Sequence, residues 1–264
     1  MNRIVGGTTL AFRKYLSLET LWLAFIFVMF LISLFWTPYS TDVADGYSVL
    51  KGQSSSHIMG TSASGKDMFS LILAGCKTTV FICTITTVLT AILGILLAFG
   101  CRFSIVRVVV DIFIAVPTII VAMVIAASLG GSLACVVASC SFSYSMVLAR
   151  ILYPEITRLE NSILVKSLHA LGCSKLQVVI NHILPNLLSI LFIQLTTVAA
   201  TVILAEAGLT YLGYGASIGL PTWGEALRSS SELIRVAPTS VLWPGIFITL
   251  TSFSLISMGK KKKL

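Results

Sequence analysis

Two acidic residues, Asp111 and Glu206, fall inside stretches too apolar to solvate a charge, and a carboxylate in that setting raises a functional question because it is costly to hold there. Glu206 is placed either to touch a substrate or to fix a nearby loop through hydrogen bonds. Asp111 has Arg107 one helical turn before it and reads as a structural pair. On the 187–209 stretch, Gln194, Thr197 and Thr201 recur at i, i+3 and i+7, which sets three polar groups on one helix face. They could line a substrate path together with Glu206, or hydrogen-bond between helices. Thr78, Thr79, Thr84, Thr86, Thr87 and Thr90 carry the same two readings.

His169 and His182 could carry protons, but both stand in a polar segment and also read as ordinary polar surface. The six cysteines, Cys76, Cys83, Cys101, Cys135, Cys140 and Cys173, contain no C-x-x-C spacing and read as small packing residues, so no metal site is expected. No G-x-x-x-x-G-K-[ST] phosphate loop occurs, so the chain is not expected to be an enzyme or to bind nucleotide or any other cofactor by itself.

The elements that must position these groups belong in a bilayer. Of 264 residues, 56% are hydrophobic and 11% charged, with a mean hydropathy of +0.98, well outside the range of a soluble domain. Six windows are apolar enough to cross about 30 Å of hydrocarbon: 20–36, 78–100, 108–129, 132–153, 187–209 and 240–258. Together they predict an all-α membrane protein of about six spans. The first window exceeds a signal-peptide core and ends in Phe35, Trp36, Thr37 and Pro38, a poor cleavage site, so it reads as a retained anchor.

Thirteen of the eighteen Lys and Arg residues fall on one side if the N-terminus is inside, including Arg3, Arg13, Lys14, Arg102, Arg107, Arg150, Arg158 and the 260–263 lysines. Both termini are therefore predicted inside. The net charge of +8 is dispersed over membrane ends, without interleaved aromatics, which argues against a nucleic-acid partner and for lipid. The organisation expected is an inner N-terminus and first span (1–37), an outer segment (38–77) and a five-helix core (78–264) with an inner loop at 154–186.

The outer segment reads as loop followed by a short interfacial helix around Met68, Phe69, Leu71, Ile72 and Leu73, with no evident pocket chemistry. The inner loop is amphipathic. Ile163, Leu164, Leu168 and Leu171 form one apolar stripe and Leu176, Val179 and Ile180 a second, predicting two short helices hinged at Gly172, with Ser174 capping the second and Pro185 closing it. Such a pair either packs under its own bundle or docks on a soluble partner.

Residues 166–186, KSLHALGCSKLQVVINHILPN, resemble the E-A-A loop of ABC importer permeases, whose pattern is E-A-A, three residues, G, nine residues, I-x-L-P. Residues 57–67, HIMGTSASGKD, are similar to the H-x-L-G-T-D-x-x-G-R-D block of the dipeptide, oligopeptide and nickel permease family, C-type subunit. Residues 206–215, EAGLTYLGYG, resemble its E-A-x-L-S-F-L-G-L-G block, and Pro221, Trp223 and Gly224 its P-x-W-G. Asp111, the 115–117 AVP and the 243–245 WPG extend the match. Lys166, Ser167 and Leu168 replace E-A-A, and Ser62 replaces the aspartate of G-T-D.

That resemblance implies a type I importer permease in the bacterial cytoplasmic (inner) membrane, for small peptides or for free or chelated nickel. It implies a second homologous permease subunit, two cytoplasmic ATPases that use ATP and Mg, and an extracytoplasmic substrate-binding protein. Contact with the ATPase would fall on Lys166, Ser167, His169, Ala170, Leu171, Gly172, Cys173, Ser174 and Lys175. A self-sufficient secondary transporter or channel, and a scaffold without transport, are the competing classes. The first would carry intramembrane ion sites and internal repeats, of which only Asp111 and Glu206 are in evidence.

Overall fold

In a computed structural model the described residues are 17–41, 49–215, 220–231 and 234–261. Arg3, Arg13, Lys14, Asp42, Asp45, Glu232, Lys262 and Lys263 lie outside them. The described chain is helical, and its one β-bridge joins Thr61 to Asp67.

Helix α1 (Leu18–Ser33) has 16 residues, or about 24 Å of rise, short of the hydrocarbon thickness. It lies against the last helix. Trp22 donates its indole N–H to Thr251 Oγ1 (3.1 Å), and Lys261 reaches Glu19 (2.9 Å). The start of α1 and the Lys261 end of the Pro238–Lys261 helix therefore share one end of the bundle.

Helix α2 (Met68–Gly100) runs 33 residues without a break. The expected interfacial helix is its first two turns, and Met68, Ile72 and Leu73 are core rather than membrane surface. Apolar spacing cannot distinguish an interfacial helix from a buried extension of a span.

The 108–129 window is two helices, α3 (Ser104–Ala115) and α4 (Thr118–Leu129), bent by 95°. Pro117 is the cause: Val116, forced out of the helical region ahead of it, has ψ 136°, and Pro117 has no N–H to continue the ladder. Asp111 on α3 meets Arg150 (3.4 Å) across the bundle, while Arg107 is spent on the Tyr153 hydroxyl (3.4 Å), so the expected Arg107 partnership is replaced.

Helix α5 (Leu133–Glu160) passes through Pro154 and continues to Glu160. Beyond it come α6 (Ile163–Ala170) and α7 (Lys175–Val178). A π turn at Val179–Ile183 then leads into α8 (Leu184–Tyr211). Leu184 N–H bonds Val179 O, five residues back, and this wider turn admits Pro185 within one continuous 37-residue helix, Lys175–Tyr211. Pro185 therefore does not close the second inner helix. It sits in the first turn of α8, directly after the π turn that admits it.

Two helices remain, α9 (Trp223–Ser231) and α10 (Pro238–Lys261). Among the described residues, four helices are long and apolar enough to cross a membrane, five with the bent α3–α4 pair counted as one span, and α1 is the shorter sixth element. The core sits where α2, α5 and α8 meet, flanked by α10 and α1 through Ile26, Met29, Val202, Ile203, Trp223 and Phe247.

Candidate functional site

At the end of the bundle rich in Lys and Arg, α6 and α7 form a helix pair whose turn is fully hydrogen-bonded. Ser162 caps α6, accepting from Val165 N–H (3.3 Å). The pair turns at Gly172, φ +88°, where Gly172 N–H bonds His169 O (3.1 Å) and Cys173 N–H bonds Leu168 O (3.0 Å), the double bond of a Schellman motif. Ser174 then opens α7 with a capping box: Gln177 N–H donates to Ser174 Oγ (3.3 Å) and Ser174 N–H to Gln177 Oε1 (3.0 Å). Four local bonds fix the hinge without help from the bundle, and a Cβ on Gly172 would meet open space.

What the pair shows and hides departs from the expected stripes. Val165, Val178 and Ile183 are buried, with Leu168, Cys173 and Val179 packed beside them, against Leu152 and Ile156 of α5. Ile163, Leu164, Leu171, Leu176 and Ile180 face away, Leu171 at 82% exposure. Lys166, Ser167, His169, Ala170, Gly172, Ser174 and Lys175 share that outward surface, and Cys173 is half-buried behind it. The stripes read from sequence thus mixed two faces, because in a helix of eight residues every position is near one edge.

At the opposite end, the E-A-x-L and P-x-W-G blocks interlock. Glu206, 1% exposed, accepts from Thr210 Oγ1 (2.9 Å). Gly224 lies where a Cβ would come within 2.8 Å of Ala207 Cα, so α9 can approach α8 only with glycine there. Trp223, fully buried, donates its backbone N–H to Thr79 Oγ1 (3.3 Å) and its indole N–H to Ile72 O (3.0 Å), and its ring packs on Phe247. The bond of Glu206 stays within α8, beside the Ala207 that Gly224 faces.

The four residues offered as a substrate path do not converge. At about 100° per residue Glu206 sits roughly 120° around α8 from Gln194. Gln194, Thr197 and Thr201 stay on one half-buried line, but the Thr197 hydroxyl is used by Ile193 O (3.0 Å) and that of Thr201 by Thr197 O (3.0 Å).

The outer segment holds more chemistry than its composition suggested. His57 Nδ1 meets Asp67 Oδ1 (3.0 Å), and the other oxygen of Asp67 caps α2, accepting from Ser70 N–H and Ser70 Oγ (both 2.8 Å). Tyr39 packs its ring on His57 and donates its N–H to Ser70 Oγ (3.1 Å). Residues 60–66 follow the G-x-x-x-x-G-K spacing, yet the position that needs Ser or Thr is Asp67. Its carboxylate fills the helix N-terminus where a phosphate would bind, so this loop is a structural clasp. Ser62 accepts from Lys66 N–H (3.2 Å), doing the turn-closing work open to an aspartate there. The spacing of His57 and Asp67 in their block was the available signal.

Residues 90–260 match the family described as "Binding-protein-dependent transport system inner membrane component". The chain is 30% identical over 223 residues to a dipeptide transport system permease protein of Alkalihalophilus pseudofirmus, covering 81% of this chain and 73% of that one. It is 32% identical over 208 residues to a putative peptide transport system permease protein of Brucella suis, covering 77% and 70%. With a glutathione transport system permease protein of Pectobacterium atrosepticum it shares 27% identity over 266 residues, 96% of this chain and 88% of the relative. Match and architecture agree: the chain belongs to the binding-protein-dependent transport system inner membrane components, as a multi-pass permease subunit of an ABC importer.

Proposed function

We propose that this subunit forms half of a translocation path for small peptides and that the α6–α7 pair is its contact with a cytoplasmic ATPase. The observation that carries the second part is the outward apolar face, Ile163, Leu164, Leu171, Leu176 and Ile180, on a helix pair whose turn is fixed by its own hydrogen bonds. A face of this size on a rigid element stays exposed in solution only at a cost, and a partner groove offsets it. Because α7 continues through the π turn into α8 as one helix, a displacement of the docked pair is passed to a span as rigid-body motion.

In this reading ATP and Mg belong to two ATPase chains and this chain binds neither. A second, related permease chain completes the pore. An extracytoplasmic binding protein delivers ligand to the outer loops, at 211–223 and the 38–76 segment, and Gln194, Thr197 and Thr201 contribute a modest polar line to the path. Peptides are favoured over nickel because the relatives described above are named for dipeptide, peptide and glutathione transport. Selectivity would reside mostly in the binding protein.

Gly172→Asp tests the docking role. At φ +88° the aspartate strains the turn but meets no neighbouring atom, so the variant is expected to insert and to hold its complex in detergent with the turn loosened, while ligand uptake in reconstituted vesicles falls at least about tenfold relative to ATP hydrolysis. Unchanged uptake would remove the role from this turn.

A further inference from the structure

The helix pair carries charge of one sign. Residues 161–186 contain Lys166 and Lys175, with no Asp or Glu. The nearest acids are already taken by arginines of this chain, Glu155 by Arg158 (3.0 Å) and Glu160 by Arg102. Among the described residues neither Lys166 nor Lys175 has a carboxylate within 4.0 Å. Beside the pair opens a pocket of about 230 Å³ lined by Lys175, His169 and the Arg102–Glu160 ion pair, with Val165 and Ile183 among its apolar lining. Its charged rim and apolar base suit one short acidic side chain.

We infer that the surface received by this pair is acidic, with an Asp or Glu side chain of the partner entering the pocket beside Lys175. The inference rests on the reading that the pair docks on an ATPase, and adds the sign of that partner's groove. Lys166 stands where the E-A-A pattern has glutamate, so a partner matched by charge to the pattern would be repelled here. Anionic lipid could also attract these cations. The geometry favours protein: α5 runs seven residues beyond the apolar window that ends at Tyr153, lifting α6 about 10 Å past that end. Leu171, between the two lysines in sequence, also points outward with them.

The test uses the full complex in detergent free of anionic lipid. A carbodiimide, which joins a lysine amine only to a carboxylate in contact, is expected to link Lys166 or Lys175 to an Asp or Glu of the ATPase. The double variant Lys166→Glu, Lys175→Glu is expected to weaken ATPase association about tenfold at low salt, with the difference shrinking at high salt. Capture of the ATPase from Cys173 by a thiol cross-linker, with no carbodiimide link, would leave docking standing and overturn the acidic groove. Failure of both reagents would overturn docking itself. Loss of activity by the double variant only in vesicles of anionic lipid, with association in detergent unchanged, would assign the lysines to headgroups and overturn the inference.

Discussion

Glu206 shows how a single residue's meaning depends on direction. As an acid within an apolar stretch it reads either as a substrate contact or as a group that fixes a loop by hydrogen bonds. It is buried, and the bond it accepts from Thr210, four residues on in the same helix, braces α8 from within. Glu206→Gln keeps an oxygen that can accept from Thr210 and is expected to leave uptake within about threefold of the parent, less than 1 kcal/mol. A complete loss of uptake at unchanged thermal stability would return Glu206 to the substrate. Trp223, by contrast, fills a core site on both its ring and its two N–H groups. Trp223→Ala is expected to cost about 3–5 kcal/mol and to lower the melting temperature of the detergent-solubilised protein markedly. The importance of Trp223 was legible in the P-x-W-G block, but its partners Thr79 and Ile72, distant in sequence, were not.

At the scale of elements, caps were legible and breaks were not. Gly172 and Ser174 announced a turn because only a few residue types adopt a left-handed backbone or accept from a free helix N–H, and both stand where the sequence put them. Ser174→Ala removes the capping box and is expected to loosen α7 by about 1 kcal/mol, read as faster hydrogen exchange at Gln177 and Val178 with slower exchange elsewhere unaffected. Pro117 and Pro185 carried the same sequence signal with opposite results. Pro117 bends its window by 95°, whereas a π turn absorbs Pro185 into a continuous helix. Hydropathy averages over both, and only packing around the proline decides between a break and a widened turn. The His57–Asp67 clasp went unread for a similar reason, since its two members are brought together by a loop with no periodicity.

For the whole molecule, the apolar windows give the membrane class, and the asymmetry of Lys and Arg gives an orientation to test. They do not give the length of α1, the overhang of α5 or the folding of α2's first turns into the core. Single cysteines introduced at Lys51 and Lys166 of an otherwise cysteine-free chain are expected to label from opposite faces of intact cells and inverted vesicles, Lys51 from outside. Labelling of both from one face would overturn the orientation on which the docking face depends.

The claim that organises all three scales is that this chain moves ligand only as part of an ATP-driven complex. Accumulation of a labelled dipeptide in sealed vesicles, measured with the complete complex and with this chain alone, addresses it most directly. Uptake is expected to require ATP, the ATPases, the second permease and the binding protein together, and to vanish when this chain is omitted. Uptake by this chain alone under an ion gradient, or ATP hydrolysis by the full complex without movement of any ligand, would contradict it.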